Sequence, residues 1–497
     1  MIVPSGARLV IVTLALAVSA ACAMGPNYKR PVVETPPAFR GDTEGAADTR
    51  SLADLRWSDL FGDDTLTTLV SAALDENFEV RIAAERVLQA RALLRIQRAD
   101  QFPALDASAG VTTARVSREG ATVGIPPGID PEVSYTQVGF SLSWELDVWG
   151  RLRRLTEASR AQYLAAGEFR RGVVATLIAD VIDTYLTLRT LDLEIEIARR
   201  TRDVGLEGLR LTEARRARGV ASGVDVRQAE QLLYTATGQI AGLEREIALT
   251  ENALSLLLGR APQDIARGRP LEAFQAPPLV PAGLPSSLLE RRPDIRQAEQ
   301  ELIAANAQIG AARAEYFPRI SLTGFFGFES RALSDLLTGP ARTWTAGAGA
   351  LAPIFNAGRT RANVQFTEAV QREAVVNYQR AIYTALREVS DALAAYRRTG
   401  EQRAQQERLV EALRESTRLS TQRYQGGLDS YLPVLDAQRS LFQGELELAR
   451  LRRQELSAIV QLYRALGGGW DAAPPLRGGE SPTPNAPLPG SGAEEKS

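Results

Sequence analysis

The chain predicts an α+β membrane protein: an internally duplicated protomer that gives four strands to a β-barrel shared between chains and continues into a long α-helical barrel. Three observations carry this. They are an internal repeat, alternating strands of membrane-crossing length, and Pro-free helical runs far longer than a globular domain uses.

The repeat is anchored on Phe102-Pro103 and Phe317-Pro318, 215 positions apart. At that offset Arg81, Ala83, Ala90, Ala92, Arg98 and Ala99 fall on Arg296, Ala298, Ala305, Ala307, Arg313 and Ala314. Further on the offset becomes 208: Gly150-Arg151 meets Gly358-Arg359, and Gly219-x-x-Ser222 meets Gly427-x-x-Ser430. Each copy reads helix, Phe-Pro, two strands, Gly-Arg, very long helix, Gly turn, helix. Proline ends a helix by withholding an N–H and restricting the residue before it, so Phe102, Pro103, Phe317 and Pro318 mark helix-to-barrel junctions.

The strands are expected at about 104–117, 133–147, 319–329 and 343–355. Val138, Phe140, Leu142, Trp144 and Leu146 alternate with Gly139, Ser141, Ser143 and Glu145. Ile320, Leu322, Phe326 and Phe328 alternate with Ser321, Thr323 and Glu329, and Trp344 to Ile354 alternates with Gly347 and Gly349. One face is thus apolar and the other small or polar. Runs of this length cross a bilayer when tilted, and Trp144, Trp149 and Trp344 sit near strand ends, where interfacial aromatics belong. Arg118 to Glu132 and Ser330 to Arg342 are the expected loops.

From Arg151 to about Arg218 there is no proline, which allows a helix of roughly 65 residues or about 100 Å. Val174, Ile178, Val181, Tyr185 and Leu188 are spaced as a coiled-coil seam, and Ile382, Leu386, Val389, Leu393 and Tyr396 repeat the spacing. Four strands cannot close a barrel, and an open sheet would leave unpaired backbone in lipid. Three chains give a homotrimeric 12-stranded transmembrane β-barrel; the counting alone also admits a dimer or tetramer.

Net charge is −2, there is no His, and Lys occurs only at 29 and 496. Nucleic acid is therefore an unsuited partner, and His-based triads and nearly all zinc sites are excluded; no cofactor is expected. Residues 1–21 read as an export signal: a short apolar run, Leu9 to Val18, ends in Ser19-Ala20-Ala21-Cys22. Cys22 is the candidate lipid-attachment residue, although Ser19 stands where a lipobox prefers Leu.

Cys22-A-M-G-P-N-Y-K-R-Pro31, Trp57 with Asp64-T-L-T-T-L-V-S-A-A-L-D-E-Asn77, and Gly283-L-P-S-S-L-L-E-R-R-P-D-I-R-Q-A-Glu299 complete the set of motifs. With Phe317-Pro318 they resemble the outer membrane factors, the TolC and OprM type, in their NodT-like lipoprotein branch serving resistance-nodulation-division efflux systems. The resemblance implies a trimer in the outer membrane, anchored in its lipid, with its helical barrel in the periplasm. It implies export of drugs and toxic small molecules when a periplasmic adaptor (membrane fusion) protein and an inner membrane resistance-nodulation-division transporter dock, and no catalysis. A type I protein secretion conduit is the alternative within the class; a soluble periplasmic coiled-coil scaffold is the remote one.

The resemblance further implies a gate of carboxylates beyond the hairpin tips. Asp225 and Asp436 match its positions, Pro433 replaces a third, and Asp429 stands where the family has Arg. The tips themselves, Gly219, Ser222, Gly426, Gly427 and Ser430, would meet the adaptor. The competing role for Asp225 is an N-cap with Ser222, and Asp429 or Ser430 could cap the last helix. The expected divisions are a signal peptide (1–21), a lipid-anchored extended segment (22–60), a first repeat (61–260, tip near 219), a linker (261–290), a second repeat (291–470, tip near 427) and a disordered tail (471–497).

Overall fold

The computed structural model describes residues 23–40, 51–115, 117, 130–274, 283 and 285–472. Cys22, the expected signal peptide and residues 473–497 of the expected tail lie outside these. The longer helices are α1 (Asp64–Glu76), α2 (Phe78–Ala99), α3 (Arg151–Ala217), α4 (Gly223–Leu257), α5 (Pro293–Ala314), α6 (Arg359–Gln425) and α7 (Leu432–Ala465). The strands are β1 (Ala104–Arg115), β2 (Glu132–Leu146), β3 (Arg319–Ser330) and β4 (Arg342–Leu351). Two compact units emerge: Met1–Pro31, Leu88–Ala165 and Glu299–Asn377 form one, and Val32–Val87, Ala166–Ala298 and Tyr378–Ser497 the other.

The first unit holds one antiparallel sheet in the order β1-β2-β3-β4. Its register sets Leu105, Leu142, Gly324 and Ala346 in one row and Ala107, Phe140, Phe326 and Trp344 in the next. Directly opposed residues share a face, so this face is apolar across all four strands. The alternate rows hold Asp106, Ser141, Phe325 and Thr345, then Ser108, Gly139, Gly327 and Thr343. Phe140, Phe326 and Trp344 are more than half exposed in the single chain.

Both junctions are built alike. Phe102 N–H bonds back to Ala99 O at 2.9 Å and Phe317 N–H to Ala314 O at 3.1 Å, and Pro103 and Pro318 then stop the helical pattern. Among the described residues three strands end before their expected bounds, β2 by a single residue at Leu146. β1 stops at Arg115, which faces Glu132, the first residue of β2. β4 stops at Leu351 opposite Arg319, because the preceding residue on that neighbour is Pro318, which has no N–H to continue the ladder. The stretch expected to be extended between 22 and 60 contains a short helix at Trp57–Phe61.

In the second unit α3, α4 and α7 meet around Ile195, Ile197, Ala198, Leu243, Phe442, Leu446 and Ala449. Val174, Ile178, Val181, Tyr185 and Leu188 are all buried, as their spacing requires. In the second copy Ile382, Val389 and Leu393 are buried, whereas Leu386 and Tyr396 are only partly so.

The helix bases are locked by one device executed twice with different chemistry. Asn77 caps α2, accepting from Glu79 N (2.8 Å) and Val80 N (3.2 Å), and donates to Leu257 O at the end of α4 (2.8 Å). Arg292, 215 positions later, precedes α5 and donates to Ala465 O at the end of α7 (2.9 Å). Its guanidinium also grips Asp294 (2.9 and 2.6 Å) and Glu388 (2.8 Å). Burial pushes the Arg292 pKa down, but Asp294 and Glu388 outweigh it and leave the net shift upward. The Arg-Arg-Pro-Asp motif is therefore a buried clamp, with Pro293 at the first helical position, where its missing N–H costs nothing.

Arg292→Met removes the donor to Ala465 O and the partner of two half-exposed carboxylates, and is expected to cost about 2–3 kcal/mol. Asn77→Ala is expected to cost about 1–2 kcal/mol, and Arg291→Met, whose pair with Asp54 is half exposed, less than about 1 kcal/mol. Thermal loss of the helical circular-dichroism signal in detergent ranks the three; an Arg292→Met midpoint equal to wild type would refute the clamp.

Candidate functional site at the hairpin tips and the sheet

The α3–α4 tip closes on Gly219, with φ +74°, and the α6–α7 tip on Gly427, with φ +75°. Val220 N–H reaches Arg215 O at 2.9 Å, and Leu428 N–H reaches Arg423 O at 3.0 Å, the same six-to-one closure in both copies. A Cβ on either glycine would meet nothing within 4 Å. The left-handed backbone, and not lack of space, therefore requires glycine there. Gly426 sits just before, its N–H on Gln422 O at 3.0 Å.

Ala229, Leu232, Tyr424, Tyr431, Val434 and Leu435 pack together beneath the tips. Tyr424 and Tyr431 meet edge to face at 5.2 Å, and the Arg215 guanidinium lies 4.5 Å over the Tyr424 ring while donating to Tyr424 O at 2.8 Å. Burial pushes the Tyr431 phenol up to about 12, with Tyr424 adding to the shift. This contact between the two hairpins was hidden in the sequence, because Arg215 and Tyr424 lie 209 positions apart in chain.

The three candidate carboxylates have different surroundings. Asp225 completes a capping box with Ser222: Ser222 N–H donates to its carboxylate at 2.7 Å, and Asp225 N–H donates to Ser222 Oγ at 3.2 Å. Asp436 is exposed and lines a groove between α4 and α7 with Gln231, Thr235 and Arg439. The competing capping role fails for Asp429 and Ser430: the N-cap residue of α7 is Tyr431 and no side chain caps it. Pro433 removes one N–H that a cap would serve, and Asp429 turns to Arg423 at 2.6 Å. The hydrogen bond and charge of Arg423 hold the Asp429 carboxyl below its ordinary range.

That shift has a sign. The folded pKa is depressed, so the pair supports the tip fully above about pH 4 and is lost as pH falls through the lowered value. Cleavage of the α6–α7 turn by an acid-active protease should accelerate below about pH 4, and Asp429→Asn should cleave fast and independently of pH. A flat profile in the unaltered protein would contradict this.

At the junctions Phe102 is exposed, whereas Phe317 stacks on Trp149 with centroids 4.7 Å apart. Trp149 Nε1 donates to Pro318 O at 2.9 Å, and Trp144 Nε1 to Gln101 O at 3.0 Å. The described residues begin in a docked segment: Met24 N–H bonds Trp149 O at 3.1 Å, Arg154 donates to Met24 O at 3.1 Å and to Asn27 at 2.7 Å, and Asn306 donates to Pro26 O at 2.9 Å. Sequence reasoning passed over Phe325. Its position out of phase in Gly324-Phe325-Phe326-Gly327 was the available signal.

The sequence pattern of the family described as outer membrane efflux protein matches residues 69–260 and 284–468. The solvent efflux pump outer membrane protein SrpC of Pseudomonas putida is 41% identical over 464 residues, 92% of this chain and 98% of that one. Outer membrane protein OprJ of Pseudomonas aeruginosa is 39% identical over 471 residues, 93% and 96% of the two chains. The open state of the MtrE outer membrane channel of Neisseria gonorrhoeae superposes with a TM-score of 0.81 at 32% identity, covering 90% of this chain and 99% of that one. The chain belongs to the outer membrane efflux protein family, and it is an outer membrane efflux channel.

Proposed function

We propose that this channel works as a homotrimer in a tripartite system, taking small apolar or amphiphilic toxic molecules from a periplasmic adaptor and an inner membrane resistance-nodulation-division pump. The observation that carries the reading is the sheet: one face apolar across four strands, the other small and polar, with the outer edges of β1 and β4 unpaired among the described residues. Such edges are tolerated in hydrocarbon only when β4 of one protomer pairs with β1 of the next. The name of the Pseudomonas putida relative SrpC, a solvent efflux pump outer membrane protein, supports the substrate class. Work is done by the pump, and this chain contributes passage without catalysis.

The idle channel closes where the tips of three protomers converge, and Asp225 and Asp436 ring the constriction, with Asp429 held by Arg423 beside them. Gly219, Ser222, Gly426, Gly427 and Ser430 form the surface that the adaptor engages. Capping does not disqualify Asp225, because a carboxylate sharing one proton donor still carries its charge. Purified wild-type trimers in planar bilayers should pass a small current that multivalent cations block. Asp225→Ala with Asp436→Ala should raise the current and weaken the block about tenfold or more, the scale by which a focused acidic field concentrates cations. Unchanged current and block would remove these residues from the gate.

Cys22 carries the lipid anchor, and the docked segment after it fixes where that anchor emerges. Cys22→Ser should abolish incorporation of labelled palmitate while leaving trimers in the outer membrane, since the barrel alone holds them there. Equal labelling of the variant would refute the assignment.

A further inference from the structure

The middle of the sheet face opposite the apolar one is made of Asp106, Ser108, Gly110, Gln137, Gly139, Ser141 and their neighbours, with one exception; Tyr135 and Val133 lie on the same face towards its end. Phe325 shares a row with Asp106, Ser141 and Thr345. Its ring lies down on two glycines: a Cβ built on Gly139 would be 2.7 Å from the Phe325 Cζ, and one on Gly327 would be 2.9 Å from it. Gly327 is consequently the one buried residue of β3. Glycine at 139 and 327 gives the ring a seat, because any side chain would occupy the ring's position.

A ring so seated presents its other π face to whatever fills that side of the sheet. We propose that Phe325 is a solute-contacting, selectivity-setting residue on the wet face of the barrel, retaining solutes that carry aromatic rings, aromatic cations above all. The proposal rests on the conduit reading, in which this face lines the lumen. Asp106, on the same row two strands away, is about 10 Å distant at a strand spacing of about 4.8 Å. It supplies a carboxylate at a distance suited to an amphiphile with a ring and a separated positive charge.

Dimensions separate contact from closure. Twelve strands about 4.8 Å apart and tilted about 40° make a wall about 75 Å around and about 24 Å across. Three rings lying flat against it cannot shut such a lumen. Phe325 therefore acts on residence of a solute and not on the opening of the channel.

The test places a reporter beside the ring. Thr345 is exposed and directly opposite Phe325, and Cys22 is the single native cysteine. In detergent-solubilised full-length trimers carrying Cys22→Ser and Thr345→Cys, the rate of labelling by a small water-soluble maleimide is followed with increasing tetraphenylphosphonium or tetrabutylammonium. These cations share charge and differ in aromaticity. Tetraphenylphosphonium should protect at lower concentration, and adding Phe325→Leu, which keeps a cover over the glycines but removes the π face, should raise that concentration about two- to tenfold. Tetrabutylammonium should be indifferent to the change. Equal protection by both cations in the Phe325-bearing protein overturns the proposal even where Phe325→Leu fails to assemble, as does unaltered protection in that variant. No labelling at all would instead overturn the assignment of this face to the lumen, and the conduit reading with it.

Discussion

A backbone amide in hydrocarbon must find a carbonyl, and the outer edges of β1 and β4 are where one chain alone leaves that demand unmet. Everything distinctive in the chain follows from meeting it between copies. Strands of ten to fifteen residues are long enough to cross at a tilt. An apolar face running without interruption from Leu105 through Phe140 and Phe326 to Trp344 can be left uncovered by the protein itself, because lipid covers it. Among the described residues the sheet does not close on itself, and it does not need to.

The duplication preserves geometry more faithfully than chemistry. Asn77 and Arg292 hold equivalent places, and each ties the start of one helix to the last carbonyls of another, Leu257 and Ala465. A neutral amide does this through a cap and one bond. A buried guanidinium needs Asp294 and Glu388 to offset its desolvation. The same divergence separates Phe102, which is exposed, from Phe317, which Trp149 covers. The Phe-Pro dipeptide thus serves the turn in both copies, while the phenyl ring answers to different neighbours.

This divergence also explains what could be read in advance. Period, proline, glycine and internal offset are local or translational signals, so the junctions, the strands, the 67-residue helices α3 and α6 and the two tip glycines were legible. Contacts between copies were not. Arg215 on Tyr424 is one such contact, 209 positions apart; at Asp429 the sequence left cap and ion pair both open, and Pro433, which removes a cap's target, leaves the carboxylate to Arg423. Phe325 escaped because alternation averages over a strand and discounts a single residue out of phase. Its meaning appears only when the register sets Gly139 and Gly327 beneath it.

The four long-helix ends of the two hairpins suggest where movement is permitted. Each ends in a glycine with positive φ: Gly219 and Gly427 at the tips, Gly259 and Gly467 at the bases. The backbone solution is shared, but the surroundings are opposite. A Cβ at Gly259 would lie 2.3 Å from Glu76 O and one at Gly467 3.1 Å from Arg291, whereas at both tips it would meet nothing within 4 Å. The bases are packed and clamped by Asn77 and Arg292. Tips held by a capping box, one exposed ion pair and a small tyrosine cluster belong to the low end of local stability. Local opening of the second unit is therefore expected to begin at the tips and not at the bases.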